Sequence, residues 1–170
     1  LPSVNNGDKV ELDQKLMYSM ISQTVFAVAD NESSKPVYTG LKFEIADDTI
    51  TMIGVDGYRL AIRKEKINYN GEPLDFVVPK KTIKEITKLF NLEEDKSVNM
   101  LISKRHIVFE IENYSIISRL LDGEFIDYTA AIPNVQKTTV LINTGDAIDC
   151  IERTLPVIEN NQKNPIRCLF

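Results

Sequence analysis

Polar and apolar residues alternate from Asp8 to Leu12, the period of a half-buried strand. Asp13 follows as a candidate N-cap, a short carboxylate able to accept the unpaired N–H groups of the next turn. From there Leu16, Met17, Met20, Ile21, Val25 and Val28 return on one side at helical spacing, predicting a helix that reaches about residue 30. Its polar side carries Lys15, Ser19, Ser22 and Gln23. A polar loop at 31–36 leads to three predicted strands, 37–45, 49–53 and 58–67, with turns at Ala46-Asp47-Asp48 and Val55-Asp56-Gly57. A strand at 75–78 then runs into Pro79, whose fixed φ suits a first helical turn, and a second helix extends to Phe90. Three more strands are predicted at 97–102, 106–112 and 114–121.

The order strand, capped helix, three strands therefore occurs twice, with Leu12-Asp13 corresponding to Val78-Pro79. A third copy starts at Thr139-Val140-Leu141-Ile142, with a cap at Asn143 or Thr144 and a helix holding Ala147, Ile148, Ile151 and Leu155. Starts about 65 residues apart are too widely spaced for an ordinary solenoid and suit a duplicated half-domain. The implied fold class is α+β: two βαβββ units that lay two helices side by side on one face of antiparallel sheets. Residues 1–135 make one domain. Residues 136–170 make the truncated start of another, since a helix with no remaining sheet cannot bury a core unaided. Leu1-Pro2-Ser3-Val4-Asn5-Asn6-Gly7 reads as an extended linker, and with no initiator methionine the chain reads as a piece of a longer one.

Charge changes the picture at the second helix. At roughly 100° per residue, Ile83, Ile86, Leu89 and Phe90 fall in one sector, and Lys80, Lys81, Lys84 and Lys88 nearly opposite, with Glu85 at the border. A charged stripe is ordinarily a solvated helix face. This one contrasts with a chain of net charge −5, so any attraction to a polyanion has to be local. With the two helices co-facing, Lys15 joins the stripe on a surface expected to lack acidic residues. No apolar run is long enough to span a bilayer and no signal-peptide pattern is present, so a cytoplasmic protein without membrane contact is expected. Cys150 and Cys168 lie among apolar residues, with no CxxC and no nearby histidine, and are expected to be buried free thiols.

Catalytic chemistry has no clear carrier. There is no GxGxxG, P-loop or HExxH, and His106 precedes the strand-like run Ile107-Val108-Phe109, which makes it a strand-end residue rather than a base. No catalytic residue, cofactor or metal is called for. If the chain were a metal-dependent nuclease or nucleotidyltransferase, its acids would be Asp56, Asp122 and Asp127; Asp56 and Asp122 both precede glycine, where turn geometry accounts for them. Val55-Asp56-Gly57-Tyr58-Arg59-Leu60-Ala61 mixes polar turn residues with apolar positions, as a groove for a partner's apolar side chain would. A peptide-binding module without nucleic-acid contact is thus another alternative.

Four stretches resemble, in order, the beta subunit of bacterial DNA polymerase III, the sliding clamp family. They are Gly40-Leu41-Lys42-Phe43-Glu44, Val55-Asp56-Gly57-Tyr58-Arg59-Leu60-Ala61, Val78-Pro79-Lys80-Lys81 and Ser118-Arg119-Leu120-Leu121-Asp122-Gly123-Glu124-Phe125-Ile126-Asp127-Tyr128. Residues 1 to about 135 are similar to the middle of the family's three domains, and those from about Lys137 onward to the opening of the third. The resemblance implies the DNA clamp fold and a head-to-tail homodimeric ring around duplex DNA, its hole lined by helices. Such a ring tethers a polymerase and catalyses nothing itself. The implied partners are duplex DNA, the polymerase catalytic subunit, the clamp loader and other clamp-binding peptides. Lys80 and Lys81 match basic positions facing DNA, Lys84 and Lys88 continue their stripe, and Lys15 joins from the first helix. Lys35 lies in the loop at 31–36, which matches a segment near DNA, with Pro36 and Val37 in place of the family's aromatic residues. The family's peptide pocket maps onto Tyr38, Val55, Gly57, Tyr58, Arg59, Leu60, Ile126 and Ala131, its far wall coming from the end of the third domain. Ile126 stands where the family often has proline, Tyr58 where it has histidine, and Ala130 where it has a basic residue.

Overall fold

In the computed structural model of the chain, the first strand, β1 (Asp8–Asp13), does not pair with the strands that come next in sequence. Helix α1 (Gln14–Ser22) follows it, then β2 (Gly40–Ala46), β3 (Thr49–Val55) and β4 (Leu60–Lys66), an antiparallel meander. The second half repeats the order with β5 (Leu74–Pro79), α2 (Lys80–Thr87), β6 (Ser97–Ile102), β7 (His106–Ile111) and β8 (Tyr114–Arg119). Each half adds its leading strand to the other half's meander, giving antiparallel sheets ordered β1-β6-β7-β8 and β4-β3-β2-β5. The structure describes residues 7–30, 35–133, 135, 137–157 and 166–169, which fall into two compact units, Leu1–Asp127 and Tyr128–Phe170. All of the linker expected at 1–7 but Gly7, and most of the loop expected at 31–36, lie outside the described residues.

Register in the first unit follows the apolar alternation. Val10 and Leu12 of β1 stand opposite Met100 and Val98 of β6. Leu41 and Phe43 of β2 stand opposite Val78 and Phe76 of β5, and a slip of one residue would turn every one of these side chains outward. The Phe43 and Phe76 rings stack with centroids 5.2 Å apart. Together with Met17, Met20 and Ile21 of α1 and Ile83 and Ile86 of α2, they belong to one contiguous buried cluster. Both helices therefore cover the same core as the inner faces of both sheets.

The helices start where expected and stop sooner. Asp13 caps α1, its Oδ1 accepting the Leu16 N–H at 2.8 Å. The helix ends at Ser22 rather than near residue 30. Buried Thr24 donates its hydroxyl to the Met20 carbonyl at 2.7 Å, a bond that competes with the helical ladder, and Val25–Ala27 closes as a 3-10 turn. Pro79 ends β5 with an extended ψ of 136° and is the cap of α2 rather than part of its first turn. The strand expected from residue 37 begins only at Gly40, after a 3-10 turn at Pro36–Thr39. At Gly40, β2 and β5 approach so closely that a Cβ would lie 2.7 Å from the Val78 carbonyl oxygen.

The second unit holds α3 (Thr144–Thr154), capped by Asn143, whose side chain accepts the N–H groups of Gly145 at 2.8 Å and Asp146 at 3.3 Å. The strand expected at 139–142 does not form: among the described residues these positions join no ladder. No residue of α3 is buried, and Ile148, Ile151 and Leu155 are exposed. The two thiols are free as expected, but both are exposed; Cys150 sits on α3, over which this unit lays no sheet among the described residues. No described helix is long and apolar enough to cross a membrane.

Candidate nucleic-acid interface and peptide groove

Hydrogen bonds tie the two helices of the first unit at both ends. The Lys80 ammonium donates to the Val28 carbonyl at 2.8 Å and to Asp30 Oδ1 at 3.1 Å, so α2 starts beside the segment that follows α1. Gln14, fully buried, donates from Nε2 to the Ser97 carbonyl at 3.0 Å and accepts the Asn91 N–H at 2.8 Å. So α1 starts beside the segment that follows α2, and the helices are antiparallel neighbours.

Their polar sides carry Lys15, Lys81, Lys84 and Lys88, but the expectation that no acidic residue shares this surface is corrected. Asp95 reaches Lys15 at 2.5 Å, Asp30 reaches Lys80 at 3.1 Å, and Glu85 reaches Lys88 at 2.8 Å. The hydrogen bond to Asp95 outweighs desolvation and holds the Lys15 ammonium above its ordinary value, while Asp95 is held below the usual carboxylate range. Lys88 does the same to Glu85, with Lys81 adding its charge. The exposed Lys15–Asp95 and Lys88–Glu85 pairs are weak and salt-screened, so a phosphate can take the carboxylate's place there. Lys81 and Lys84 make no ion pair among the described residues. With Asp30, Lys80 and Glu85 they line a cleft of about 300 Å³. Lys35 holds its ammonium 5.6 Å from the Tyr38 ring centroid, which ties it to the residues expected at the peptide pocket.

Around the β3–β4 turn the fold gathers most of the expected pocket. The Ala29 N–H is shared between the carbonyls of Tyr38 at 3.0 Å and Val55 at 3.2 Å, joining the 3-10 turn at Pro36–Thr39 to the end of β3. Asp56 organises the turn. Its Oδ1 accepts the N–H groups of Tyr58 and Arg59 at 3.0 and 2.8 Å, and its Oδ2 accepts Arg59 Nε and Nη2 at 3.0 and 2.7 Å. Burial alone would push the Asp56 carboxyl up, but the Arg59 guanidinium and these N–H groups prevail and hold it below the usual carboxylate range. Gly57 takes a φ of 87°, and a Cβ there would meet nothing, so the turn needs glycine for its backbone and not for space. Tyr58 is left 84% exposed, and Leu60 opens β4 opposite Val55. Tyr38 meets Phe125 edge-on at 5.6 Å, next to exposed Ile126. Ala131 belongs to the second unit.

One residue the sequence reading did not single out joins this surface. Phe26, on the turn Val25–Ala27, is 55% exposed, with the Arg59 guanidinium 5.9 Å from its ring centroid. It stands in the apolar run Val25-Phe26-Ala27-Val28-Ala29, where nothing local distinguishes an outward aromatic from a core one. The metal-site alternative fares differently. Asp56 is fully engaged within its turn, and Asp122 faces Arg119 at 4.0 Å. No group of three or more His, Cys, Asp or Glu among the described residues is placed to hold a metal ion.

Two four-stranded antiparallel sheets with exchanged leading strands, closed over by an antiparallel helix pair, define an α+β protein of the clamp fold. The family model for the DNA polymerase III beta subunit, central domain, matches residues 11–127, and the chain belongs to that family. It is 30% identical over 167 residues to the beta sliding clamp of Staphylococcus epidermidis, and 28% identical over 168 residues to that of Bacillus subtilis. Each match covers 98% of this chain and 44% of the relative, so the chain spans less than half the length of these curated relatives. Among solved structures, a putative DNA polymerase III beta subunit from Eubacterium rectale superposes with a TM-score of 0.90 at 32% identity, covering 96% of this chain and 44% of that one. The DNA polymerase sliding clamp from Bacillus subtilis also superposes at 0.90, with 28% identity and coverage of 96% and 43%.

Proposed function

We propose that the chain is part of a DNA sliding clamp, a non-catalytic processivity factor that encircles duplex DNA in the cytoplasm as a homodimeric ring. In this reading residues 1–135 are the middle domain and 136–170 open the third. The observation that carries it is the antiparallel helix pair of an acidic chain, presenting Lys81 and Lys84 without ion-pair partners among the described residues. The set on the DNA-facing side is Lys15, Lys35, Lys80, Lys81, Lys84 and Lys88. Phosphate contacts carry no sequence information, which suits a ring that must slide. Short duplexes of unrelated sequence, titrated by fluorescence anisotropy over a salt series, test this. The expected result is equal affinity for each, falling linearly on logarithmic axes as salt rises; a preference for one sequence, or indifference to salt, overturns it.

The partners beyond DNA are the polymerase catalytic subunit, the clamp loader and other proteins bearing clamp-binding peptides. Their groove, within the first unit, takes in Tyr38, Val55, Gly57, Tyr58, Arg59, Leu60 and Ile126. Half-buried Leu60 beside buried Val55 supplies apolar floor for such a peptide. Leu60→Lys sets an ammonium there and is expected to weaken a peptide copied from the polymerase catalytic subunit about tenfold or more in calorimetric titration. Unchanged affinity would move the groove elsewhere.

A further inference from the structure

Gln14 and Lys80 hold the same position in the two halves. Each directly follows a six-residue strand and opens a helix, Gln14 after Asp13 and Lys80 after Pro79. Each also reaches out of its own half, to the segment that follows the other half's helix: Gln14 to Asn91 and Ser97, Lys80 to Val28 and Asp30. The chemistry at each end fits its partners. Gln14 faces one N–H and one carbonyl, and its amide supplies the matching acceptor and donor. Lys80 faces a carbonyl and a carboxylate, two acceptors, which an ammonium satisfies with charge-assisted bonds.

We infer that Gln14 and Lys80 are a matched pair of clasps that set the spacing and register of the helix pair, and that Lys80 serves polyanion binding by positioning Lys81 and Lys84 rather than by meeting a phosphate itself. The Lys80 side chain is only 20% exposed, against 42% for Lys15 and 66% for Lys88. Two of its three N–H groups are already engaged, one of them by the carbonyl of Val28, a residue 1% exposed, and such a buried acceptor is costly to abandon. The residue after each clasp is a lysine, Lys15 after Gln14 and Lys81 after Lys80. Fixing the first residue of each helix thus fixes the direction in which the next ammonium leaves it. The pair is symmetric in place, each member matched to its own partners.

The part of this inference that concerns DNA rests on the clamp reading, and the test separates the two. Duplex binding by the chain is measured over a salt series, well below the unfolding temperature, where a residue that only adds stability leaves affinity unchanged. Lys81→Met is expected to make the logarithmic salt slope shallower by about 0.9, one phosphate contact. Lys80→Met and Gln14→Met are expected to weaken binding about threefold with the slope unchanged, because the remaining cations are misplaced and not removed. Lys80→Arg restores the affinity. A slope that falls with Lys80→Met as it does with Lys81→Met overturns the inference, as does affinity unmoved by both clasp variants. If Lys81→Met leaves the slope where it was, the clamp reading fails. Hydrogen exchange at the Asn91 amide then decides the clasp: faster exchange in Gln14→Met supports it and unchanged exchange overturns it.

Discussion

Replacing Lys81 and Lys84 together by glutamate is expected to lower affinity for duplex DNA by about two decades at low salt and to leave thermal unfolding where it is. Neither ammonium makes an ion pair among the described residues, and both side chains are exposed, so no native contact of that kind is lost. The helix is held from its other side by Ile83 and Ile86, both fully buried. A glutamate at position 81 falls in the first turn of α2, where a negative charge suits the helix dipole, and one at 84 falls in the last turn, where it does not, so the two effects offset. Binding responds differently. Each cation that neutralises a phosphate contributes about 0.9 to the salt slope, so losing two should flatten it by about 1.8. Between about 1 M and 0.05 M salt that difference amounts to roughly two decades of affinity, before the repulsion of the new carboxylates is added. Lys15→Glu should cost less, because Lys15 must first exchange Asp95 for a phosphate. Anisotropy titrations across the salt series measure both quantities, and parallel slopes for variant and parent would take the lysine helix out of the interface.

Local patterns carried most of the fold. The alternation in Ser97–Ile102 and the capping carboxylate of Asp13 are written in neighbouring residues, and both elements lie where those residues put them. Strand exchange is not written that way. Period-two alternation says which face of β1 is apolar and is silent on whether its partner is β2 or β6, so the joining of the halves through β1–β6 and β2–β5 emerges only from the three-dimensional structure. The end of α1 was hidden for a related reason. No glycine or proline marks it, and what stops the helix is a buried threonine hydroxyl turned back on the Met20 carbonyl. In the candidate interface the lysines were legible from helical spacing. Their partners were not, since Asp95 is 80 residues from Lys15 and Asp30 is 50 from Lys80. Those distances hid two of the three acids on this surface; the third, Glu85, stood at the border of the stripe in the sequence and pairs with Lys88 three residues on. The β3–β4 turn was legible because Asp56 and Arg59 interact across only three residues, with Gly57 between them at a positive φ.

Phe43→Ala is expected to destabilise the first unit by about 3–5 kcal/mol, a large share of the roughly 5–15 kcal/mol that holds a domain together. Phe43 is fully buried, stacks on Phe76 and lies at the centre of the cluster shared by both sheets and both helices. Truncation removes the ring from β2, while Phe76 belongs to β5, the strand supplied by the other half. The cavity therefore opens at the seam where the two halves are joined. Because each sheet is completed by a strand of the other half, neither half has a finished sheet to retreat to, and the unit should unfold in one step. A midpoint lowered by roughly 10–25 °C is expected for a domain of this size. Circular dichroism of the backbone and of the tyrosines should report the same transition. Lys64→Ala, at an exposed position on β4, is the control and should stay within about 0.5 kcal/mol of the parent. Two separate transitions in the Phe43→Ala protein would mean that the halves hold themselves up independently, and the exchanged strands would then be ornament rather than the joint that makes one unit of two.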